Sequence, residues 1–216
     1  MKAGLLTLVK EYETAGRDPA LMNISRVRQE LGPEYDVYII DESGIIIQTT
    51  YGPELGMDFR SIPSFYQYLE KIRMQDGFFP DRIVREFKGA GKFRKYAYMP
   101  TPDHRYVLEL GLQGENLMPV STAADAQGTI ARITSVNPYI ESFRVFNAVG
   151  RKTDDNTVPE EPALTHISTA IRTRSDIEIP DPEHARIIRY IFVDLQKDQY
   201  GSDTSRIVEI TYSTQV

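Results

Sequence analysis

The apolar residues of this chain recur first at helical spacing and then in the alternating order of β-strands. Residues 5–12 and 21–31 each form an apolar helical stripe, and Gly32-Pro33 ends the second helix. Residues 35–50 place β-branched and aromatic side chains on both sides of the turn Asp41-Glu-Ser-Gly44, which predicts a β-hairpin. We expect the two helices either to form a stalk or dimer face or to pack as ordinary core.

More strands and one more helix follow the hairpin. A helix with one apolar side is predicted at residues 64–74, after Pro63 at its first turn. The predicted strands are 83–88, 93–99 and 106–112. Gly89-Ala-Gly91 is either a hairpin turn or a phosphate cradle; it joins strand to strand without Walker spacing, which favours the turn. The Asp41-Glu42 pair of the hairpin is either a turn that bonds its own backbone or a site for acid–base chemistry or a cation.

One stretch of the chain occurs twice. Residues 24–44 align without a gap with residues 130–150, and both run from a helix through a proline break and an apolar strand to a turn that ends in glycine. The strands that end the two copies also resemble each other, since Glu109 falls on Glu209 between apolar neighbours. A start and an end that both recur predict two copies of one α/β module.

The order of these elements resembles the double Cache (PDC or PAS-like) sensor domains outside the membrane in bacterial and archaeal histidine kinases, chemoreceptors and diguanylate cyclases. The resemblance is carried by YIIDESG, ELGMDFRSIPSFYQYLEK, KYAYMP and YVLELGL. It implies an α+β fold of two tandem PAS-like antiparallel-sheet modules behind N-terminal helices. The implied parts are N-terminal helices at 1–34, a first, membrane-distal module at 35–114, a connecting helix at 115–138 and a second, membrane-proximal, reduced module at 139–216.

The second copy lacks most of the loop-rich half that surrounds a pocket in the first. Its residues 154–162 are rich in proline and acidic side chains, a short helix follows at 163–172, and the strands predicted after it are 187–195 and 206–213. The resemblance implies that the distal module holds the ligand. We therefore expect a small-molecule ligand of unknown identity in the first module.

The alternation of side chains along the strand at 93–99 predicts what this ligand contacts. Arg94, Tyr96 and Tyr98 share one face, and Lys95, Ala97 and Met99 share the other, so Lys95 replaces Arg94 if the faces are reversed. The candidate ligand-binding residues are Arg60, Tyr66, Tyr68, Arg94, Tyr96 and Tyr98. A guanidinium and tyrosine hydroxyls suit an anionic ligand. The alternative is that the tyrosines pack as core aromatics and the arginines are solvated. The chain has no Trp, so the pattern of amino-acid-binding members of the family is not recognisable.

Composition limits the remaining functions. A net charge of −6 disfavours nucleic acid as a partner, and the absence of Cys excludes disulfides and thiolate metal sites. The three His form no HxxxH or HxH pair, and no G-x-S-x-G motif is present, so neither a metal, a cofactor nor catalysis by this domain is expected.

The function that we expect is therefore an extracytoplasmic (periplasmic or extracellular) ligand-sensing domain of a histidine-kinase-type receptor. Membrane anchoring would come from segments absent from this chain, since its longest N-terminal apolar run is far shorter than the roughly 20 residues of a span. A homodimer would form through the N-terminal helices. The alternatives are a dimerisation or spacer module of a diguanylate cyclase or chemoreceptor, or an undetected enzyme.

Overall fold

The computed structural model describes residues 1–86, 92–114, 132, 135, 137–195 and 200–214. The chain divides into two compact units, residues 1–118 with 199–202 and residues 119–198 with 203–216. Each unit contains an antiparallel sheet, and helices precede the first, so the predicted α+β class is confirmed. The predicted turn at 89–91 lies outside the described residues, as does nearly all of the predicted connecting helix at 115–138.

The first unit combines helices with a sheet of strand order β2-β1-β5-β4-β3, in which all pairs are antiparallel. Its elements are α1 (Lys2–Thr14), α2 (Ile24–Leu31), β1 (Tyr35–Ile40), β2 (Ile46–Thr49), α3 (Pro63–Arg73), β3 (Phe79–Arg85), β4 (Phe93–Pro100) and β5 (Val107–Gln113). Two 3₁₀ helices, Gly52–Glu54 and Phe59–Ser61, lie in the segment between β2 and α3.

The starts of α2 and β3 differ from the prediction by three or more residues. Helix α2 begins at Ile24 rather than at residue 21, because the Asn23 side chain accepts a hydrogen bond from the Arg26 amide and caps the helix there. Leu21 lies before this cap and is 70% exposed, so it is not part of the buried stripe. Strand β3 begins at Phe79 rather than at residue 83. Its Pro80 is tolerated because β3 is an edge strand, where a missing N–H breaks no central ladder.

The first sheet has one apolar face. The α1 residues Leu5 and Leu8 and the α2 residue Val27 are buried in one cluster with the alternate strand residues Val37, Ile39, Ala97, Met99, Leu108 and Leu110. This face therefore supplies the core under the N-terminal helices, as one of the two sequence interpretations expects. The homodimer through these helices stays a prediction. Among the described helices, none has the length and hydropathy that a membrane crossing requires.

The second unit has a smaller sheet of strand order β6-β9-β8-β7. Its elements are β6 (Ile140–Asn147), α4 (Ala163–Thr173), β7 (Ile177–Asp181), β8 (Arg186–Val193) and β9 (Arg206–Ser213). No strand is predicted from the sequence at 177–181, whereas the structure has β7 there. Strand β7 pairs with β8 over its whole length, and Pro180 is accommodated because β7 is the edge strand.

The repeated stretch forms the same turn in both units. Asp41 Oδ1 accepts hydrogen bonds from the amides of Ser43 and Ile45, and Asn147 Oδ1 accepts them from Val149 and Arg151. The turns end at Gly44 and Gly150, whose φ angles of +76° and +78° are left-handed. The acidic pair of the first hairpin is thus a turn of the self-bonding kind that the sequence favours, and β1 corresponds to β6.

Candidate functional site

The face of the first sheet that points away from α1 and α2 is polar. Residues that pair across antiparallel strands share a face, and Glu109 of β5 lies between Tyr38 of β1 and Tyr98 of β4. One step along, Gly111 lies between Asp36 and Tyr96. We call this surface the polar face; it consists of Asp36, Tyr38, Arg94, Tyr96, Tyr98, Glu109 and Gly111. The structure thus turns Tyr96 and Tyr98 to this side and Ala97 and Met99 to the helical core.

Gly111 allows two tyrosine rings to meet at the centre of the polar face. The rings of Tyr38 and Tyr96 have centroids 6.3 Å apart in a T-shaped arrangement. A Cβ atom at residue 111 would lie 3.0 Å from Tyr96 Cε1 and 3.2 Å from Tyr38 Cε2, so any side chain here would push the rings apart. The absence of a side chain at this position therefore shapes the floor between the rings.

Arg94 is buried in an ion group at one end of the polar face. Its Nη1 lies 2.5 Å from Asp36 Oδ2, its Nε donates to Glu86 Oε2 at 2.8 Å, and its guanidinium lies 4.3 Å from the Tyr51 ring centroid. Burial alone would lower the pKa of Arg94, but the charge of Tyr38 and the hydrogen bonds to Glu86 and Asp36 raise it above its ordinary value. The charge of Arg94 is thus matched by carboxylates of its own unit.

Three oxygens at the centre of the polar face are buried without a hydrogen-bond partner among the described residues. They are Tyr38 Oη, Tyr96 Oη and Glu109 Oε2, and we call them the open oxygens. Their side chains belong to neighbouring strands, and all three residues are less than a tenth exposed. Buried polar atoms in folded proteins nearly always have a partner, and each unpaired one costs about 1–3 kcal/mol. A cluster of three is therefore a candidate binding site.

The electrostatics of this cluster are acidic. Burial raises the pKa of Glu109 well above its ordinary value, and the negative charges of Glu54 and Asp81 raise it further, against a lowering effect of Arg94. Burial also raises the pKa of Tyr38 and of Tyr96, and the charge of Glu54 adds to both shifts. Burial therefore favours the protonated form of Glu109, and both tyrosines keep their hydroxyl protons at neutral pH.

Aromatic rings of α3 and the loop before it cover the other end of the polar face. The Tyr98 ring lies 6.0 Å from those of Phe65 and Tyr68, and Phe59 packs on Phe65 at 4.8 Å. Tyr98 donates a hydrogen bond of 3.1 Å from its hydroxyl to Asp81 Oδ2. This cover joins two of the predicted site residues, Tyr68 and Tyr98.

Residues 200–202 complete the cover and belong to the first unit. Ser202 donates to Asp81 Oδ2 through its amide at 2.9 Å and its hydroxyl at 2.7 Å. Gly201 lies flat against Tyr68, because a Cβ atom at this glycine would come within 2.2 Å of the ring. A larger residue at 201 would therefore displace either the segment or Tyr68.

The remaining predicted site residues lie elsewhere. The exposed guanidinium of Arg60 bonds to Asp58, with Nη2 2.6 Å from Oδ2. Tyr66 packs beside Gly44 and donates from its hydroxyl to Glu70 at 3.2 Å. Four of the six predicted residues, Tyr68, Arg94, Tyr96 and Tyr98, thus line or cover the polar face, whereas Arg60 and Tyr66 bond to exposed carboxylates.

The second unit contains the counterpart of Glu109. Glu209 of β9 lies between Arg144 of β6 and Tyr190 of β8, as Glu109 lies between Tyr38 and Tyr98. Here the carboxylate has a partner, since Arg144 donates from Nε and Nη2 to its two oxygens, each at 2.7 Å. Burial and the charge of Glu209 raise the pKa of Tyr190 to about 12.

The sequence-based candidates omit Glu109 and Tyr38, which the structure places at the centre of the polar face. One signal for Glu109 was present, because a charged residue between apolar neighbours recurs at the matching position of the second copy. Tyr38 carried no comparable signal, since its position beside Tyr96 depends on the pairing of β1 with β5. No group of three or more metal-binding side chains occurs within the described ranges.

Comparison with known proteins gives distant likenesses. No protein-family model matches the chain, and no curated protein matches it. A ligand-binding receptor described as extracellular, from Desulfohalobium retbaense, is 14% identical with a TM-score of 0.32; the match covers 90% of this chain but only 32% of the receptor. The ligand-binding domain of the Pseudomonas fluorescens chemoreceptor CtaA, in complex with L-valine, is 12% identical with a TM-score of 0.33, covering 98% of this chain and 90% of that one.

A third likeness is the sensor domain of the V. cholerae histidine kinase DctB, which is 12% identical with a TM-score of 0.34; the match covers 96% of this chain and 84% of that one. These structures are ligand-binding or sensor regions of receptors, the class that the resemblance in the sequence names. Likenesses of this size leave the function to be inferred from the geometry of the chain itself.

Proposed function

We propose that this chain is the extracytoplasmic ligand-sensing region of a transmembrane receptor of the histidine-kinase type. It binds a small molecule on the polar face of the first unit and passes the change to a cytoplasmic transmitter beyond this chain. The region itself carries out no catalysis. Binding acts as a signal because the ligand stabilises one arrangement of the unit over another, which requires unequal affinity for the two.

The open oxygens are the observation that supports this function. A sheet whose only role is structural gains stability from apolar residues on both covered faces, as the α1 and α2 side of this sheet shows. On the polar face, two buried hydroxyls and one buried carboxyl oxygen, all on neighbouring strands, have no hydrogen-bond partner in the described part of the chain. Their cost in stability is explained if a ligand supplies the missing hydrogen bonds.

A spacer or dimerisation module is the second candidate. It is favoured by the cover over the polar face, because Phe65, Tyr68 and Tyr98 pack as core aromatics. In that case the open oxygens carry a fixed structural cost, and no small molecule raises the stability of the folded chain.

A thermal-shift screen against small carboxylates, amines, sugars and nucleosides separates the two candidates, because a ligand specific for the folded state raises the unfolding midpoint. Tyr96→Phe removes one open oxygen and keeps the ring, so it should abolish the shift. Tyr66→Phe is the matched control, since this tyrosine bonds to Glu70 on the exposed side of α3, and it should leave the shift intact. Silence across the screen would support the spacer module instead.

A further inference from the structure

We propose that the ligand of the first unit is a small organic cation, an amine or a guanidine, whose N–H groups donate to Glu109 and to the hydroxyl oxygens of Tyr38 and Tyr96. This inference rests on the proposed function and names the chemical class that the site takes. The sequence favours an anionic ligand because Arg94 could bind one. In the structure Arg94 is bonded to Asp36 and Glu86, so its charge is already matched and the inference is a cation instead.

The second unit shows which group completes a glutamate at this position. Arg144 occupies the cross-strand place that Tyr38 occupies in the first unit, and its guanidinium bonds to both oxygens of Glu209 at 2.7 Å. In the first unit the matching side chain is a tyrosine, whose hydroxyl is itself one of the open oxygens. A ligand with a planar or tetrahedral N–H cation would supply to Glu109 what Arg144 supplies to Glu209.

The charges around the open oxygens favour the same class. Glu54 and Asp81 act on Glu109 as negative charges, and Asp81 already accepts from Tyr98 and Ser202. On the positive side, Arg94 is matched by two carboxylates, and half-buried Arg82 lies with its guanidinium 5.0 Å from the Tyr200 ring centroid. A cation entering this space therefore meets acceptors and negative potential, whereas a carboxylate would be repelled.

The tyrosine rings add a second attraction. The rings of Tyr38 and Tyr96 meet edge to face over Gly111, so a cation bonded to Glu109 would lie beside aromatic surfaces. Aromatic rings attract a cation that has lost its water, because the face of the ring carries partial negative charge. All three open oxygens are buried, so a ligand reaches them only when neighbouring side chains move.

Proton balance gives the binding a distinct pH dependence. Burial favours the neutral acid form of Glu109 in the empty site; the charges of Glu54 and Asp81 raise its pKa further, and Arg94 lowers it. When an organic cation binds, the carboxyl O–H proton leaves to solvent and the cation keeps its own protons. Affinity for a permanent cation should therefore rise with pH, by up to about tenfold per unit, until Glu109 is ionised without ligand.

The test is calorimetric titration and thermal shift of the whole chain with methylammonium, putrescine and agmatine, beside acetate, succinate and glucose at the same ionic strength. We expect only the cations to bind. Glu109→Gln should weaken that binding at least tenfold, and Glu209→Gln should leave it unchanged, because this glutamate is satisfied within the second unit. Circular dichroism confirms that each variant is folded.

A second variant keeps the test decisive if Glu109→Gln fails to fold. Tyr38→Arg places a guanidinium beside Glu109, as Arg144 stands beside Glu209, so it should remove cation binding while the chain remains folded. Unchanged cation affinity in this variant would overturn the inference.

The two proposals fail in different ways. Binding of succinate or glucose, lost in Tyr96→Phe but unaffected by Glu109→Gln, would overturn the cationic ligand and leave the sensing function in place. If Glu109→Gln does not weaken the binding of cations, the cationic-ligand inference is likewise overturned and the sensing function remains. No binding by any of the six compounds, or in the wider screen, would overturn both.

Discussion

The two sheets of this chain carry a glutamate at corresponding positions, but the hydrogen bonding of its carboxyl group differs between them. In the second unit Glu209 is bonded at both oxygens by Arg144, a neighbour on the adjacent strand. In the first unit the neighbour is Tyr38, and the Glu109 oxygen that is buried has no partner in the described ranges. The difference teaches that a glutamate at one place in a sheet is neutralised in one unit by an arginine of the adjacent strand, and in the other is left with an oxygen that has no partner in the described part of the chain.

The largest expected effect concerns the arginines of the two sheets. Arg94→Met leaves Asp36 and Glu86 as buried carboxylates without their cation, which should lower the free energy of unfolding by about 3–5 kcal/mol. Arg144→Met is the matched change, and its cost should be about 1–3 kcal/mol, because the side chain is 41% exposed. Urea denaturation measures both. Equal losses would show that burial does not distinguish the two arginines.

The repeated turns give the next comparison. Gly44→Ala and Gly150→Ala each force alanine into a left-handed conformation, at a cost of about 1 kcal/mol. At Gly44 the new Cβ would also lie 2.6 Å from the Tyr66 ring, whereas at Gly150 it would lie 3.5 Å from Ile167. Overpacking should add about 1–3 kcal/mol for Gly44→Ala alone. Tyr66→Ala in the same chain should recover that part; if it does not, the ring is not the cause.

The glutamates themselves come third. Glu209→Gln replaces a charged bidentate pair by a neutral contact and should lower the free energy of unfolding by about 1–2 kcal/mol, given the partly exposed arginine. Glu109→Gln replaces a carboxyl whose protonated form is favoured by burial with an amide of the same shape, and it should cause no comparable loss at neutral pH. Urea denaturation of both variants under the same conditions measures the two losses in the free energy of unfolding. A larger loss for Glu109→Gln would show that an ionised Glu109 stabilises the first sheet.

The last comparison is the pH dependence of stability that Glu109 causes. Its folded-state pKa is raised above the ordinary value of 4.5, so between these two values the folded chain binds more protons than the unfolded one. The contribution of Glu109 to stability is therefore fully present below pH 4.5 and falls as pH rises through the folded pKa, by at most about 1.4 kcal/mol per unit. Unfolding curves of the natural chain and Glu109→Gln should diverge in this direction. Parallel curves would place the carboxyl in water.

The fold was more predictable from sequence than the site, for reasons that particular residues show. The hairpin up to Gly44 and the side of β4 that carries Tyr96 follow from local alternation, which a sequence displays directly. Strands β3 and β7 were missed or shortened because Pro80 and Pro180 break the pattern, and only the edge position in the sheet makes them acceptable.

The contacts of the site depend on pairs that lie far apart in the chain. Arg94 and Asp36 are separated by 58 positions, and nothing in the local sequence says that a carboxylate of β1 meets this guanidinium. The place of Tyr38 beside Glu109 follows from the register of β1 on β5. Local alternation therefore places Arg94 on the polar face. It gives no information on the carboxylates that pair with its guanidinium.

The strict alternation along β1 and β5 divides the first unit into two sets of positions that can be changed separately. Val37, Ile39, Leu108 and Leu110 hold the sheet to the helices, while Tyr38 and Glu109 lie between them in sequence and point the other way. Substitutions confined to the second set would therefore alter the polar face while leaving the contacts between the sheet and its helices unchanged.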